Sequence, residues 1–127
     1  MELYPFLKGL VDADRCAVVI CNLKHEIVYM NPVAKERYVK WGGEKLVGKS
    51  LLECHNADSC QQIEKVVRWF LESREHNIVY TYYNEKENKD VYMVALRDEG
   101  GSLIGYYEKH EYRDREKSAF YAELNEG

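Results

Sequence analysis

The spacing of apolar residues along this chain shifts from helical to strand-like, back to helical, and then to a long run of alternation. Leu3, Phe6, Leu7, Leu10 and Val11 recur at intervals of three and four, the period of a short amphipathic helix capping the domain. Ala17-Val18-Val19-Ile20-Cys21 and Glu26-Ile27-Val28-Tyr29-Met30 are short β-branched runs separated by the polar Asn22-Leu23-Lys24-His25, which predicts a hairpin. Asn31-Pro32 ends the second strand and supplies a capping side chain with proline at the first helical position, so a helix is expected to about Lys40. Trp41-Gly42-Gly43 breaks it, and residues 44–57 keep no period and read as short turns.

Helical spacing returns with Ile63, Val66, Val67, Phe70 and Leu71, and Ser59 with Gln62 forms a capping box at the start of that helix. Strands are then predicted at about 77–84, 90–97 and 103–111, joined by the polar turns Asn84 to Lys89 and Asp98 to Ser102. Such short connections make an antiparallel meander. Tyr112 to Leu124 is charged with Ala119, Phe120 and Leu124 interspersed, the pattern of a solvated helix with a narrow apolar edge. Two strands, helices and three strands combine into an α+β arrangement, one five-stranded antiparallel sheet with helices covering one face and terminal helices. The expected division is a capping helix over 1–12, a domain over 13–113 and a helix or tail over 114–127. Across the sheet's apolar face the Ile63–Leu71 stripe is expected to lie.

Composition narrows the function. A chain of 127 residues suits one core and needs neither metal nor disulfide to fold. The net charge of −4, with acids and bases interleaved, lacks the basic stripe a phosphate backbone requires, so no nucleic-acid partner is expected. No apolar run reaches membrane-spanning length, and Met1-Glu2-Leu3-Tyr4-Pro5-Phe6 lacks a signal peptide's basic region and long apolar core. Cys16, Cys21, Cys54 and Cys60 have no disulfide-scaffold spacing. Free thiols in a reducing, cytoplasmic compartment are the expectation.

Three short motifs in order carry a family resemblance over about residues 13–113. Asn31-Pro32-Val33-Ala34 follows the strand Ile27-Val28-Tyr29-Met30; Leu46-Val47-Gly48-Lys49-Ser50-Leu51 forms a glycine turn; Arg97-Asp98-Glu99-Gly100 precedes Gly105 and Glu111. Together they resemble the PAS family of sensory and signalling domains. Two positions depart from that pattern: the closing triplet is Glu111-Tyr112-Arg113 where the family carries Asp-apolar-Thr, and the first hairpin has no Asp-Gly. Cys54-His55-Asn56 also resembles a PAS subgroup found in bacterial and archaeal sensory proteins. The resemblance implies a module that senses a small molecule, cofactor or partner protein and relays it through dimer contacts and flanking helices.

Other chemistry has weaker support. Gly43-Glu44-Lys45-Leu46-Val47-Gly48-Lys49-Ser50 satisfies the phosphate-loop pattern, but that pattern acts between a buried strand and a long helix. Here a helix ending in Tyr38-Val39-Lys40-Trp41 precedes it, so a phosphate-handling enzyme using Lys49 and Ser50 is only the third reading. Cys54, His55 and Cys60 lie within seven positions but lack the paired spacing of a zinc site, and no metal is assigned. Neither haem on His55 nor flavin photochemistry has a supporting signature, since Ser50-Leu51 stands where the light-sensing branch carries its cysteine. No catalytic residue and no cofactor are assigned, and Cys54 beside His55 in sequence does not make a nucleophile pair. Eleven tyrosines are the most unusual feature. Simple alternation sends Tyr80 and Tyr82 to one face and Tyr83 to the other, where cross-strand packing accounts for them first and an uncovered face would suit a dimer contact.

The expected function is a regulatory module with a ligand pocket between sheet and helices. Its candidate lining is Tyr38, Trp41, His55, Ile63, Val67 and Phe70 from the cover and Tyr82, Met93 and Tyr106 from the sheet. The partners expected are a small-molecule ligand and a second copy of the chain or a signalling protein. A ligand-free dimerisation domain with a filled core is the main alternative.

Overall fold

The computed structural model describes residues 1–54 and 56–120, and of Cys54 the backbone only. Five strands form one antiparallel sheet: β1 (Val19–Asn22), β2 (Ile27–Met30), β3 (Ile78–Asn84), β4 (Lys89–Arg97) and β5 (Leu103–Tyr112). Their spatial order is β2-β1-β5-β4-β3, so the amino-terminal hairpin joins the carboxy-terminal meander through β1 and β5. Gly105 is needed at that seam, because a Cβ there would sit 2.1 Å from the Cys21 carbonyl oxygen. Preceding the sheet is helix α1 (Tyr4–Asp12). Helices α2 (Pro32–Arg37) and α3 (Ala57–Glu72), with 3₁₀ turns at Val39–Trp41, Gly43–Leu46 and Leu51–Cys54, cover one face. Phe70 and Val67 of α3 are buried with Met30, Met93 and Tyr106 in one core.

The first hairpin turns without Asp-Gly by using Asn22. Its Oδ1 accepts the Lys24 and Glu26 amides at 2.9 and 3.0 Å, and His25 takes the left-handed conformation at φ 64°, an Asx-type turn that replaces glycine's role. Asn31 does more than cap a helix. It is 0% exposed; its Oδ1 accepts the Val18 and Ala34 amides at 2.9 and 3.0 Å, and its Nδ2 donates to the Val11 and Cys16 carbonyls, both at 3.0 Å. One amide therefore ties the end of the first helix, the linker, β1 and α2 together.

Five details differ from the sequence reading. The start of α3 is capped by Asn56, whose side chain accepts the Ser59 amide at 2.8 Å, and Ser59 lies inside the helix. Leu71 points to solvent, so the buried stripe runs from Ile63 to Phe70 and stops there. Tyr80 and Tyr82 stand on opposite faces, because a bulge at Thr81 sets Tyr80 opposite Tyr92 and Tyr82 opposite Val91. Helix α1 buries none of its residues, and Leu3, Phe6, Leu7 and Leu10 are exposed. Beyond β5, residues 113–120 form no helix, and the remainder of that expected element lies outside the described residues. Arg113 instead returns to the sheet, where its guanidinium grips Asp90 at 2.8 and 3.0 Å and lies over the Tyr83 ring.

The end of α3 is fixed by Arg97 of β4. Its guanidinium donates to the carbonyls of Phe70 (2.7 Å), Ser73 (3.0 Å), His76 (3.1 Å) and Gly101 (3.1 Å) and to Asn77 Oδ1 (2.7 Å). A cation here meets the unpaired carbonyls and the negative end of the helix dipole at once. The helix is thereby held across the sheet independently of its apolar face.

These arrangements predict unequal costs for two asparagines that both cap helices. Asn31→Ala removes a partner from four backbone groups, leaving the buried Val18 and Ala34 amides without theirs, and should lower unfolding free energy by about 3–5 kcal/mol. Asn56→Ala removes an exposed cap and should lower it by about 1 kcal/mol. Urea denaturation of both variants checks this, and equal losses would contradict the role given to Asn31.

Candidate functional site

Register decides what the covered face offers. Cys21 lies opposite Ile27 on one side and Tyr106 on the other, and Tyr106 lies opposite Ala95. The next row on the same face is Val79, Met93 and Glu108, and the next is Tyr82, Val91 and His110. The floor is thus apolar at the β1–β2 end and polar at the far end of β5. Above it the three 3₁₀ turns and α2 arch over without filling the space. A cavity of about 710 Å³ remains, walled by Ala17, Val19, Ile27, Met30, Leu46 and Leu51 with polar groups from Lys49, Glu53, Glu108 and His110.

Of the residues proposed from sequence, Tyr38, Trp41, Ile63, Met93 and Tyr106 line this cavity. Val67 and Phe70 do not; they are buried in the core beside it, where α3 meets the sheet. Tyr82 does not line it either: the Thr81 bulge turns it to the covered face, but on edge strand β3 it stands exposed outside the lining. His55 lies outside the described residues, and so does the Cys54 side chain. The Cys54, His55 and Cys60 cluster noted in the sequence thus lies partly outside the described residues; Cys60 Sγ is directed at the Leu52 carbonyl at 3.3 Å.

Sequence reasoning missed Glu108 and His110. The signal was present: once Tyr106 points inward, alternation along Gly105-Tyr106-Tyr107-Glu108-Lys109-His110 turns Glu108 and His110 inward too. It also missed Cys21, Met30 and Lys49. The last sits where the chain keeps no period.

The cavity's electrostatics follow from burial and from Glu108. Loss of solvent pushes the Cys21 thiol up to about 11, only partly opposed by a hydrogen bond with Tyr106, and the Glu108 carboxylate raises it further. Burial raises the Tyr38 hydroxyl and, next, so does Glu108. Tyr106 is held far above the ordinary phenol range by burial, and its hydroxyl lies 2.8 Å from His25 Nδ1 in the first hairpin. These thiols and phenols are neutral at physiological pH, as pocket walls and not as nucleophiles.

Beside the polar end, Arg37 of α2, Glu87 of the β3–β4 turn and Lys89 of β4 form a linked set. Arg37 donates to both Glu87 carboxylate oxygens at 2.7 and 3.0 Å, and Lys89 Nζ, whose residue is 2% exposed, lies 3.1 Å from Glu87. The set pins α2 to the sheet. It also engages two strong bases beside the cavity.

The phosphate-loop-like segment is occupied differently. The Val47, Gly48, Lys49 and Leu51 amides donate to the carbonyls of Glu44, Ile27, Leu46 and His25. Ser50 bridges to Glu26, so the stretch lies along β2 as an added edge. Those amides are committed to the chain itself and form no phosphate cradle. The motif match is one of sequence without its setting.

Comparison with known proteins places this architecture. A PAS fold family model matches residues 11–109. The chain belongs to the PAS fold family. Solved structures agree on the fold: a PAS domain from Colwellia psychrerythraea is 14% identical over 87% of this chain and 97% of its own, with a TM-score of 0.62. The C-terminal domain of a Streptococcus mutans protein is 18% identical over 86% of this chain and 84% of its own, at 0.64. A sensory box sensor histidine kinase from Vibrio cholerae is 18% identical over 86% of this chain and 90% of its own, at 0.56. No curated protein matches the chain. Among the described residues, no helix of this PAS domain is long and apolar enough to cross a membrane.

Glu87 supplies a test of how the polar end is held. Arg37 is the main cause holding its carboxyl down to about 2 from an ordinary 4.5, with Lys89 adding to it. A depressed carboxyl stabilises the fold fully above the unfolded value and loses that contribution as pH falls from about 4.5 through about 2. Glu87→Ala, which leaves Lys89 buried without its carboxylate, should cost about 3 kcal/mol at neutral pH. It should also flatten the acid limb of a stability-against-pH curve. An acid limb as steep as that of the parent protein would show that Glu87 does not carry this contribution.

Proposed function

We propose that this PAS domain is a cytoplasmic regulatory module that binds a small molecule in the cavity between its sheet and its helical cover and relays occupancy to a protein partner. The cavity itself carries the reading. At about 710 Å³, with mostly apolar walls and a few polar groups gathered at one end, it has the size and make-up of small-molecule sites. A filled core is what the ligand-free alternative requires; Val67 and Phe70 of α3 pack in one and Ala34 of α2 and Leu46 join it, but open space remains between the cover and the β1–β5 floor. The cover beyond α3 is three 3₁₀ turns and a short helix, elements of low intrinsic stability suited to opening and closing. That a PAS-fold neighbour belongs to a sensor histidine kinase supports a signalling setting. No catalytic role is assigned to the chain.

The partner proposed is a second copy of the chain, and a specific observation favours it. At the amino terminus Leu3, Phe6, Leu7 and Leu10 are uncovered, and the sheet face away from the cavity carries the row Ile78, Val94, Tyr107, Ile20 and Tyr29. Contiguous apolar surfaces of this kind are usually covered by association.

Two experiments test these readings separately. For the cavity, gentle native mass spectrometry of purified protein should detect a bound small molecule, and Ile63→Trp, which fills the space from α3, should abolish it. An empty mass together with no thermal stabilisation of the parent protein by any member of a small-molecule panel would refute ligand binding. For association, sedimentation should show a dimer that Phe6→Glu with Leu10→Glu weakens at least tenfold, a loss of about 1.4 kcal/mol or more. A monomer at every concentration would end the dimer reading and leave the cavity untouched.

A further inference from the structure

Taking the cavity as the ligand site, its charges narrow what it accepts. Glu108 stands on the cavity floor directly opposite Met93, with 43% of its side chain exposed to the open space. The only ion-pair partner within reach among the described residues is His110, whose Nε2 is 3.3 Å from Glu108 Oε1. An ionised carboxylate only accepts hydrogen bonds, so in the neutral ring Nε2 carries the proton and Nδ1 is a bare lone pair. The His110 side chain is 7% exposed, and that Nδ1 is buried with no hydrogen-bond partner. The neutral His110 ring brings no positive charge, so the Glu108 carboxylate has no fixed cation beside it among the described residues.

The neighbouring bases are already engaged. Arg37 and Lys89 bind Glu87, Lys109 binds Glu111, and Arg113 binds Asp90. Lys49 reaches the lining from the cover, but Glu53 lines the cavity as well, so the charged lining is two carboxylates against one ammonium. The carboxylate is felt across the cavity: it opposes ionisation of Cys21 and Tyr38. At the mouth, the Tyr38 and Trp41 rings lie 6.3 Å apart at 58°, and both line the cavity. Ring faces carry the negative quadrupole that attracts cations, and Lys40 Nζ already lies over the Trp41 ring at 5.6 Å.

We infer that the cavity selects a small organic cation, a protonated amine on an apolar or aromatic body, with Glu108 as its counter-ion and Tyr38 and Trp41 beside it. The amine pairs with the Glu108 carboxylate at the polar end, and its body occupies the space between Ala17, Ile27, Met30 and Met93. An anionic ligand would meet Glu108 head-on, and a neutral one would leave the carboxylate without a counter-charge.

Isothermal titration of the full chain with matched probes tests this: phenethylamine and its ring-saturated analogue, the corresponding alcohols, and phenylacetate. The amines should bind about 10- to 100-fold more tightly than the alcohols, and phenylacetate most weakly. Glu108→Gln, nearly isosteric, should bring the amines down to the alcohols' affinity and leave the alcohols unchanged. Glu108→Asp, which keeps the charge, should retain a preference for amines and guards against misreading a folding defect. Alcohols or phenylacetate binding as tightly as the amines, or amine affinity unaltered in Glu108→Gln, overturns the cation inference while the cavity still binds. If no probe binds the parent protein any better than the Ile63→Trp variant, the cavity reading falls together with it.

Discussion

Asn31 is the constraint on which the amino-terminal half of this domain depends. A side-chain amide has four hydrogen-bonding positions, and in Asn31 all four are satisfied inside the protein by backbone of the chain itself. A buried amide is costly when left partly unsatisfied and fixes geometry when complete. Here completion requires that the carbonyls of Val11 and Cys16 and the amides of Val18 and Ala34 converge on one point. The path of the linker and the direction in which α2 leaves β2 are set together by that requirement. The arch of turns above the sheet begins where α2 ends, so the position of the cavity roof descends from this one residue.

The carboxy-terminal half is held by a different kind of contact. Arg97 reaches from β4 to the end of α3, and Phe70, to whose carbonyl it donates, is also the most deeply buried side chain of that helix. Polar and apolar fixings therefore act on the same turn. Between the two fixed regions lies the stretch from about residue 39 to 54, held to β2 by a few backbone bonds and an isolated bridge. A cavity survives there because short 3₁₀ turns present few side chains to a broad sheet. A second long helix in that place would fill it.

Elements are legible in the sequence wherever period and capping agree. Alternation locates β3, β4 and β5 to within a residue, and Asn31-Pro32 announces both the end of β2 and the start of α2. Neither signal reveals that Asn31 also reaches Val11 and Cys16, since those partners are brought near only by the fold. Asn56 escapes notice as a cap because Ser59 offers a more familiar pattern three residues on. The Thr81 bulge shows the limit of alternation: one extra residue in an edge strand reverses the face of every later residue in it, and nothing in Tyr80-Thr81-Tyr82-Tyr83 marks it. Glu108 and His110 are the opposite case. Alternation places them inward, but charge argues for the surface, and a polar cavity floor is where that preference fails.

The strand that carries this floor is also the centre of the sheet. β5 pairs with β1 on one side and β4 on the other, so it is the strand of the meander that meets the hairpin. Its inward residues Tyr106, Glu108 and His110 alternate with outward Tyr107, Lys109 and Glu111 on the same backbone. Antiparallel strands are coupled through hydrogen bonds that tolerate little displacement along the strand. Glu108 on the cavity side thus shares its backbone with Tyr107 in the row on the opposite face. Tyr106 extends the connection laterally through His25 to the first hairpin, whose Tyr29 hydroxyl meets Asp12 of α1. In a fold this small the cavity floor, the uncovered sheet face and the uncovered helix are joined by one strand and two side-chain bonds. That is the shortest route by which occupancy of the first could alter the packing of the other two.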